Sequence, residues 1–168
     1  YDGALLNKEQ TLILLYPKSK AGNYTIPDTV TSIGDRAFEN SVGLTEINTG
    51  NGVKNIGVCA FNGCTALKNA VIGDSVETIA ESAFNSCTLI TDVTFGKSVK
   101  TIDNSAFNYC TSLKSVKLPD SVESIGNSAF RNDDAITEVT FGNDIKTIGN
   151  SAFYDCDSIT DIRIPSSL

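Results

Sequence analysis

The chain has 168 residues, of which 40% are hydrophobic and 20% charged, and this is ordinary for one globular domain. Its net charge of -7 argues against nucleic-acid binding, because phosphate-binding surfaces need clustered Lys and Arg. No apolar run approaches the roughly 18 residues of a membrane span. Because the sequence starts at Tyr1 and has no Met, we expect any signal peptide and anchor to lie outside it.

Residues 1–23 have a pattern of their own, which predicts a β-hairpin. Two apolar segments, Ala4 to Leu6 and Thr11 to Tyr16, flank the polar turn Asn7 to Gln10. The first turn of a solenoid would otherwise expose an apolar face and an unpaired strand edge. We therefore interpret residues 1–23 as a capping hairpin.

Residues 24–168 repeat with a strict period. An Ala-Phe pair recurs every 23 residues without insertion or deletion, with the aromatic ring at Phe38, Phe61, Phe84, Phe107, Phe130 and Phe153. A fixed period of about 20 to 50 residues is typical of a solenoid, in which each unit buries its apolar positions against the next. The sequence therefore predicts about six stacked repeats, and we expect them to continue beyond this segment.

Each repeat has three parts. The first is an alternating strand such as Leu113-x-x-Val116-x-Leu118, closed by Pro or Gly. The second is Val-x-x-Ile, whose β-branched residues favour a short extended segment on another wall. The third, Asn-Ser-Ala-Phe-x-x-Cys, predicts one helical turn capped by residues such as Asn104, a cap that Val58 breaks in one repeat. The fold class predicted is an α/β repeat solenoid.

Four of the five cysteines lie three residues after a repeat Phe, namely Cys64, Cys87, Cys110 and Cys156. Ser41 and Asp133 occupy the same column in other repeats. Parallel side chains on stacked turns do not point at each other as a disulfide requires, so we predict buried free thiols. Cys59 belongs to a different column that looks solvent-facing, and it is either a harmless substitution or a reactive or pairing thiol.

The pattern Leu-x-x-Val-x-Leu-Pro-x-x-Val-x-x-Ile-Gly-x-x-Ala-Phe-x-x-Cys resembles the BspA-like leucine-rich repeats of bacterial surface proteins. The resemblance covers about residues 24–168, and residues 2–5 with 12–17 are similar to the opening segment of that family. It implies a right-handed leucine-rich-repeat coil with a parallel β-sheet. It also implies a secreted or cell-surface location in bacteria and adhesion to extracellular host proteins or to other cells.

Alternation along each strand directs two columns of side chains outward, and this sheet face is the default binding surface. The candidate residues are Glu46, Asn48, Asn69, Asp92, Thr94, Ser115, Lys117, Glu138, Thr140, Asp161 and Arg163. The opposing interpretation is an ordinary solvated sheet. No aromatic residue lies in either column, so the anchors typical of tight interfaces are nearly missing.

Metal binding and catalysis have little support in the sequence. Glu138 and Asp161 are expected on adjacent turns, where a weak calcium contact competes with plain surface acidity. The chain contains no His, so it offers no Ser-His or Cys-His pair and no common zinc site. We therefore expect a protein without enzymatic activity or cofactor.

The leading hypothesis is a noncatalytic protein-binding or adhesion module that recognises an extracellular or cell-surface protein through the acidic sheet face with Lys117 and Arg163. The alternatives are a structural spacer that displays another domain and, more remotely, a carbohydrate-binding module. The strand ending at Ile164 has no capping sequence after it. We expect either further repeats or self-association through this uncapped C-terminal turn.

Overall fold

The structure, a computed structural model, describes residues 3–168 and forms a β-solenoid of about seven turns. Its strands are β1 (Leu5–Leu6), β2 (Leu12–Leu15), β3 (Gly22–Thr25), β4 (Ser32–Ile33), β5 (Leu44–Asn48), β6 (Asn55–Ile56), β7 (Asn69–Val71), β8 (Thr78–Ile79), β9 (Asp92–Thr94), β10 (Thr101–Ile102), β11 (Ser115–Lys117), β12 (Ser124–Ile125), β13 (Glu138–Thr140), β14 (Thr147–Ile148) and β15 (Asp161–Arg163). From β2 onward, each turn contributes one strand to each of two walls.

The first wall is an eight-stranded sheet in the order β1-β2-β4-β6-β8-β10-β12-β14. Its strands from β4 onward are the short extended segments predicted from Val-x-x-Ile. β1 pairs antiparallel with β2, which confirms the predicted hairpin, and β2 pairs parallel with β4. The second strand of the hairpin is therefore hydrogen-bonded into the solenoid wall, while the domain boundary at residue 23 stays a prediction.

The second wall carries the sheet face and is divided into two parallel sheets. One has the order β3-β5-β7-β9 and the other β11-β13-β15, although the backbone N–H of Lys114 still donates to the Thr91 carbonyl across the gap at 3.3 Å. The glycine that follows β7 is required for a steric reason. A Cβ at Gly73 would collide with the carbonyl oxygen of Gly50 in the preceding turn.

The predicted helical turns are wrong, because residues 3–168 contain no helix. Around Phe107, Ser105 and Tyr109 have left-handed backbone with φ of 54° and 61°, which interrupts any helix. The N–H groups of Ser105, Phe107 and Tyr109 donate instead to carbonyls of the following turn, at 2.8 to 2.9 Å. The intervening Ala106 and Asn108 close tight turns by bonding three residues back. The fold is therefore all-β rather than α/β.

The predicted helix caps also have a different role. The Oδ1 atom of Asn104 accepts a hydrogen bond from the backbone N–H of Asn127 at 2.8 Å, and Asn127 does the same for Asn150. Asp35 likewise accepts from the N–H of Val58 at 2.8 Å. Because each side chain bonds the equivalent backbone position of the next turn, this column holds successive turns together rather than ending a helix.

Stacked phenylalanines form the centre of the core between the two walls. The rings of Phe84, Phe107 and Phe130 are parallel to within 2°, with centroid separations of 5.0 and 5.3 Å, and all three residues are fully buried. Phe95 contacts the edge of Phe107 at 5.6 Å. The stack continues through six turns and ends on Phe153, which is only partly buried. The 23-residue period thus places one Phe ring per turn in a stack along the axis of the solenoid, the aromatic column.

Candidate functional site

The strand registers align the sheet-face side chains into two columns. In the first sheet the columns contain Asn23, Glu46, Asn69 and Asp92, and Thr25, Asn48, Val71 and Thr94. In the second sheet they contain Ser115, Glu138 and Asp161, and Lys117, Thr140 and Arg163. Adjacent strands of a sheet lie about 4.8 Å apart, so the face presents one polar row per turn. Glu46 and Asp92 are two strands apart, as predicted.

Several charged side chains of the sheet face are paired with one another. Lys117 Nζ lies 3.5 Å from a carboxylate oxygen of Glu138, and Arg163 Nε lies 3.9 Å from Asp161. Asn69 donates to Glu46 at 3.3 Å. Both cations predicted to take part in binding therefore face carboxylates of the same surface. These exposed pairs contribute little to stability, and a partner can compete for them.

Two shallow grooves lie on the sheet face, one near each end. The smaller, of about 190 Å³, is lined by Asn23, Tyr24, Thr25, Glu46, Ile47, Asn48, Asn69 and Val71. The larger, of about 480 Å³, is lined by Glu138, Val139, Thr140, Phe141, Asn143, Asp161, Arg163, Ile164 and Pro165. The larger groove is therefore lined by two carboxylates, one guanidinium and the apolar side chains of Val139, Phe141, Ile164 and Pro165.

The geometry around Glu138 and Asp161 bears on the calcium alternative. The two residues are direct neighbours on β13 and β15. Within residues 3–168 there is no group of three or more His, Cys, Asp or Glu side chains arranged to hold a metal ion. Each carboxylate also faces a cation, Lys117 or Arg163. The arrangement supplies ion pairs rather than a calcium ligand set.

A column of alternating charge on the opposite wall was missed by the sequence analysis. It contains Lys54, Glu77, Lys100, Glu123 and Lys146, each one period from the next. Lys100 donates to Glu77 at 2.8 Å and Lys146 to Glu123 at 2.6 Å. These hydrogen bonds lower the pKa of both Glu77 and Glu123, and Glu77 raises the pKa of Lys100. Reading the sequence in steps of 23 reveals the alternation, which favours the native register of the turns.

Among residues 3–168, the exposed aromatic side chains lie on the turn segments rather than on the sheet face. Tyr109 and Tyr154 are about half exposed. The guanidinium of Arg131 lies 5.0 Å from the centre of the Tyr154 ring, which is a cation–π contact. This cluster lies outside the sheet-face columns, where alone aromatic anchors were sought in the sequence, and so it was not predicted.

The cysteines divide as the column pattern predicts. Cys64, Cys87, Cys110 and Cys156 are buried free thiols, and each Sγ donates to the carbonyl of the Phe in the preceding turn, at 3.0 to 3.3 Å. Burial raises the pKa of all four thiols. Cys59 is free and partly exposed. Desolvation raises its pKa too, against the opposing influence of Arg36.

We expect an aromatic disulfide reagent to label the folded chain at Cys59 alone and the denatured chain at all five cysteines. We expect this result because the reagent cannot reach a buried thiol, and because a thiol with a raised pKa offers it almost no thiolate. The measurement is absorbance of the released thiolate at mildly alkaline pH. Cys59→Ser is the control and should remove the native signal. Fast native labelling of this variant would contradict the buried column.

Comparison with known proteins places this geometry in a recognised family. The BspA type leucine rich repeat region matches residues 15–134 and 100–168, with six copies. No curated protein sequence matches the chain. No helix long and apolar enough to cross a membrane occurs in the described part of the chain.

Three solved structures share the fold. A leucine-rich repeat protein from Bacteroides ovatus is 34% identical over 81% of this chain, with a TM-score of 0.76. The leucine-rich repeat protein of T. pallidum is 28% identical over 88%, with a TM-score of 0.84. A leucine rich cell surface protein from Faecalibacterium prausnitzii is 29% identical over 95%, with a TM-score of 0.75. The chain spans 35%, 71% and 52% of their respective lengths. It belongs to the BspA-type leucine-rich repeat family.

Proposed function

We propose that the chain is a noncatalytic protein-binding module of a bacterial surface protein. It recognises an extracellular host protein or a cell-surface protein through the sheet face. The observation that carries this proposal is the alignment of two exposed polar columns along the second wall. A repeated, regularly spaced surface of this kind suits contact with an extended protein partner. The cell-surface description of the F. prausnitzii relative supports the location.

Electrostatics suggests the character of the partner. The sheet face carries Glu46, Asp92, Glu138 and Asp161, against the two cations Lys117 and Arg163. A partner rich in Lys and Arg would gain from these carboxylates and could replace Lys117 beside Glu138. The partner we propose is therefore a protein with a basic surface.

The test is binding of the immobilised chain to a panel of extracellular-matrix proteins, plasma proteins and glycans. The sheet-face variant is Glu46→Lys/Asp92→Lys/Glu138→Lys. The control variant, Glu9→Lys/Glu81→Lys/Asp157→Lys, makes the same change in net charge at exposed positions outside the sheet face. We expect binding of a protein from the panel that weakens at least about tenfold in the sheet-face variant and with added salt. Equal binding by a folded sheet-face variant would exclude this face.

A second candidate function is a structural spacer that displays another domain. It is favoured by the sheet-face cations, which already face their own carboxylates, and by the position of exposed tyrosines away from that face. A folded chain that binds no protein in the panel would favour the spacer. Binding to glycans that is lost on Tyr109→Ala/Tyr154→Ala would instead support a carbohydrate-binding module.

A further inference from the structure

We propose that Asn51 is a site of spontaneous covalent modification, at which the side-chain amide is lost and an aspartate or isoaspartate forms. The chain contains two Asn-Gly pairs, Asn51-Gly52 and Asn62-Gly63. Both favour this reaction locally, because glycine has no side chain to hinder attack by its own backbone nitrogen. The solenoid restrains the second pair and leaves the first unrestrained. The inference goes beyond the proposed function and does not rest on it.

The reaction needs only the chain and water. The backbone nitrogen of Gly52 loses its proton and attacks Cγ of Asn51, a carbon–nitrogen bond forms, and the side-chain nitrogen leaves as ammonia. Water then opens the resulting cyclic imide at one of its two carbonyl carbons. Breaking the new bond gives aspartate. Breaking the original peptide bond gives isoaspartate, in which the main chain runs through the former side chain.

The first step of the argument is the environment of Asn51, which is exposed in the turn after β5. Its backbone N–H donates to a carboxylate oxygen of Asp28 at 3.0 Å, and its Oδ1 accepts a long hydrogen bond of 3.4 Å from the N–H of Asp74. Within residues 3–168, the N–H of Gly52 donates to no backbone carbonyl. The attacking nitrogen is therefore unrestrained, and the side chain that carries the leaving group is held weakly.

The second Asn-Gly pair is restrained at the same atoms. The N–H of Gly63 donates to the carbonyl of Asn85 in the next turn at 2.9 Å. The amide of Asn62 donates to Glu39 at 3.3 Å and accepts from the amide of Asn85 at 2.8 Å. Each of these bonds joins neighbouring turns. Attack at Asn62 therefore requires this part of the solenoid to open first.

The same restraint applies to Asn-Ser pairs in the segments around the aromatic column. The N–H groups of Ser86, Ser105 and Ser128, each preceded by Asn, donate to the following turn at 2.8 to 2.9 Å. Asn51 lies outside these segments, at the corner between β5 on the second wall and β6 on the first. The backbone bonds that stack the turns thus protect these asparagines and leave Asn51 unprotected.

Modification would change both the charge and the main-chain length at this corner. Asp28 and Asp74 lie one period before and after Asn51. A carboxylate at position 51 would have a like charge on each side at about the 4.8 Å spacing of stacked strands, which is unfavourable. Isoaspartate also lengthens the main chain beside Gly52, where even a Cβ would collide with the carbonyl oxygens of Asp28 and Val30. We therefore expect the modified chain to be less stable.

The test is incubation of the folded 168-residue chain in reductant, at mildly alkaline pH and physiological temperature, followed by peptide mapping with mass spectrometry. Labelling by an isoaspartyl methyltransferase distinguishes isoaspartate from aspartate. We expect Asn51 to be converted about tenfold faster than Asn62, or more, because Asn62 reacts only when its turn opens. In denaturant, where neither pair is restrained, the two rates should become similar.

Asn51→Gln is the matched control, because it keeps a side-chain amide but would have to close a larger and less favourable ring. Incubation should lower the thermal midpoint of the unchanged chain and leave that of Asn51→Gln unaltered. The proposal would be overturned by conversion of Asn62 as fast as Asn51 in the folded chain, or by an Asn51 that reacts only in denaturant. Equal midpoints of the two proteins after conversion at Asn51 would refute the expected loss of stability. None of these outcomes bears on whether the sheet face binds another protein.

Discussion

Phe107→Ala is expected to lower the free energy of unfolding by about 3–5 kcal/mol, as large aromatic truncations in packed cores do. Phe107 is fully buried, with parallel rings on both sides and the Phe95 edge at 5.6 Å. Truncation removes buried apolar area and leaves a cavity between two turns that the backbone bonds hold at fixed spacing. Denaturant unfolding followed by circular dichroism measures the loss.

Two further truncations make this prediction specific. Leu89→Ala removes an apolar side chain that is 48% exposed and should change stability by less than about 0.5 kcal/mol. Phe153→Ala should have an intermediate effect, because Phe153 is partly buried and stacks on Phe130 as the last ring of the column. An unfolding midpoint for Phe107→Ala equal to that of the unchanged chain would refute the aromatic column as the core.

Asp133 is expected to make the chain less stable as pH rises from about 4 to about 8. It is fully buried in the cysteine column, where Oδ1 accepts from the N–H of Cys110 at 2.6 Å and Oδ2 has no hydrogen-bond partner. Burial, with a contribution from Asp134, raises the pKa of this carboxyl from 3.8 to about 8. A neutral carboxyl is thus favoured in the folded chain and an ionised one in the unfolded chain.

The sign follows from proton binding. Below pH 4 both states hold the proton and Asp133 carries no penalty. Between pH 4 and pH 8 the folded chain binds one more proton at Asp133 than the unfolded chain does. Its free energy of unfolding therefore falls by at most about 1.4 kcal/mol for each pH unit. Above about pH 8 the penalty is constant. The carboxyls of Asp74, Glu77 and Glu123 have lowered pKa values and act in the opposite direction.

The variant Asp133→Cys separates the effect of Asp133 on pH-dependent stability from that of the other carboxyls. The new thiol restores the column and can donate to the Phe107 carbonyl, as its neighbours do to theirs, while the N–H of Cys110 keeps its bond to Phe107 at 3.2 Å. Unfolding of both proteins in reductant should show a stability gain for the variant that grows from pH 4.5 to pH 7.5 by about 2–4 kcal/mol. The other carboxyls cancel in this difference. A gain that does not change with pH would mean that Asp133 is not held neutral.

The repeat architecture was predictable because period and side-chain alternation are both visible in the sequence. Phenylalanines 23 residues apart had to stack, and Val116 and Leu118, two apart, had to share a face. The predicted helical turn was wrong because local sequence propensity does not show which carbonyl each backbone N–H bonds. Ser105, Phe107 and Tyr109 donate to the next turn, and left-handed backbone at Ser105 and Tyr109 makes this possible. Recurrent Ser, Asn and Gly at such positions were the overlooked signal.

The sheet-face columns were predictable to the residue, because strand alternation decides which side chains point outward. Their use in binding stays a proposal. The side-chain ion pairs were harder to predict from the sequence. The diagonal contact of Lys117 with Glu138 depends on rotamers, whereas the Lys100–Glu77 pair follows from the period once the wall is known. The partnerless Oδ2 of Asp133 could be found only from the packed structure.

Photo-crosslinking tests the role of the sheet face most directly. A benzophenone amino acid replaces Thr94, at the centre of the sheet face, or Lys100, which is exposed on the opposite wall. Both chains are irradiated with the protein that the binding panel identifies, after each is shown to be folded and to bind it. We predict a covalent product from position 94 and none from position 100. A product from position 100 with none from position 94 would contradict recognition through the sheet face.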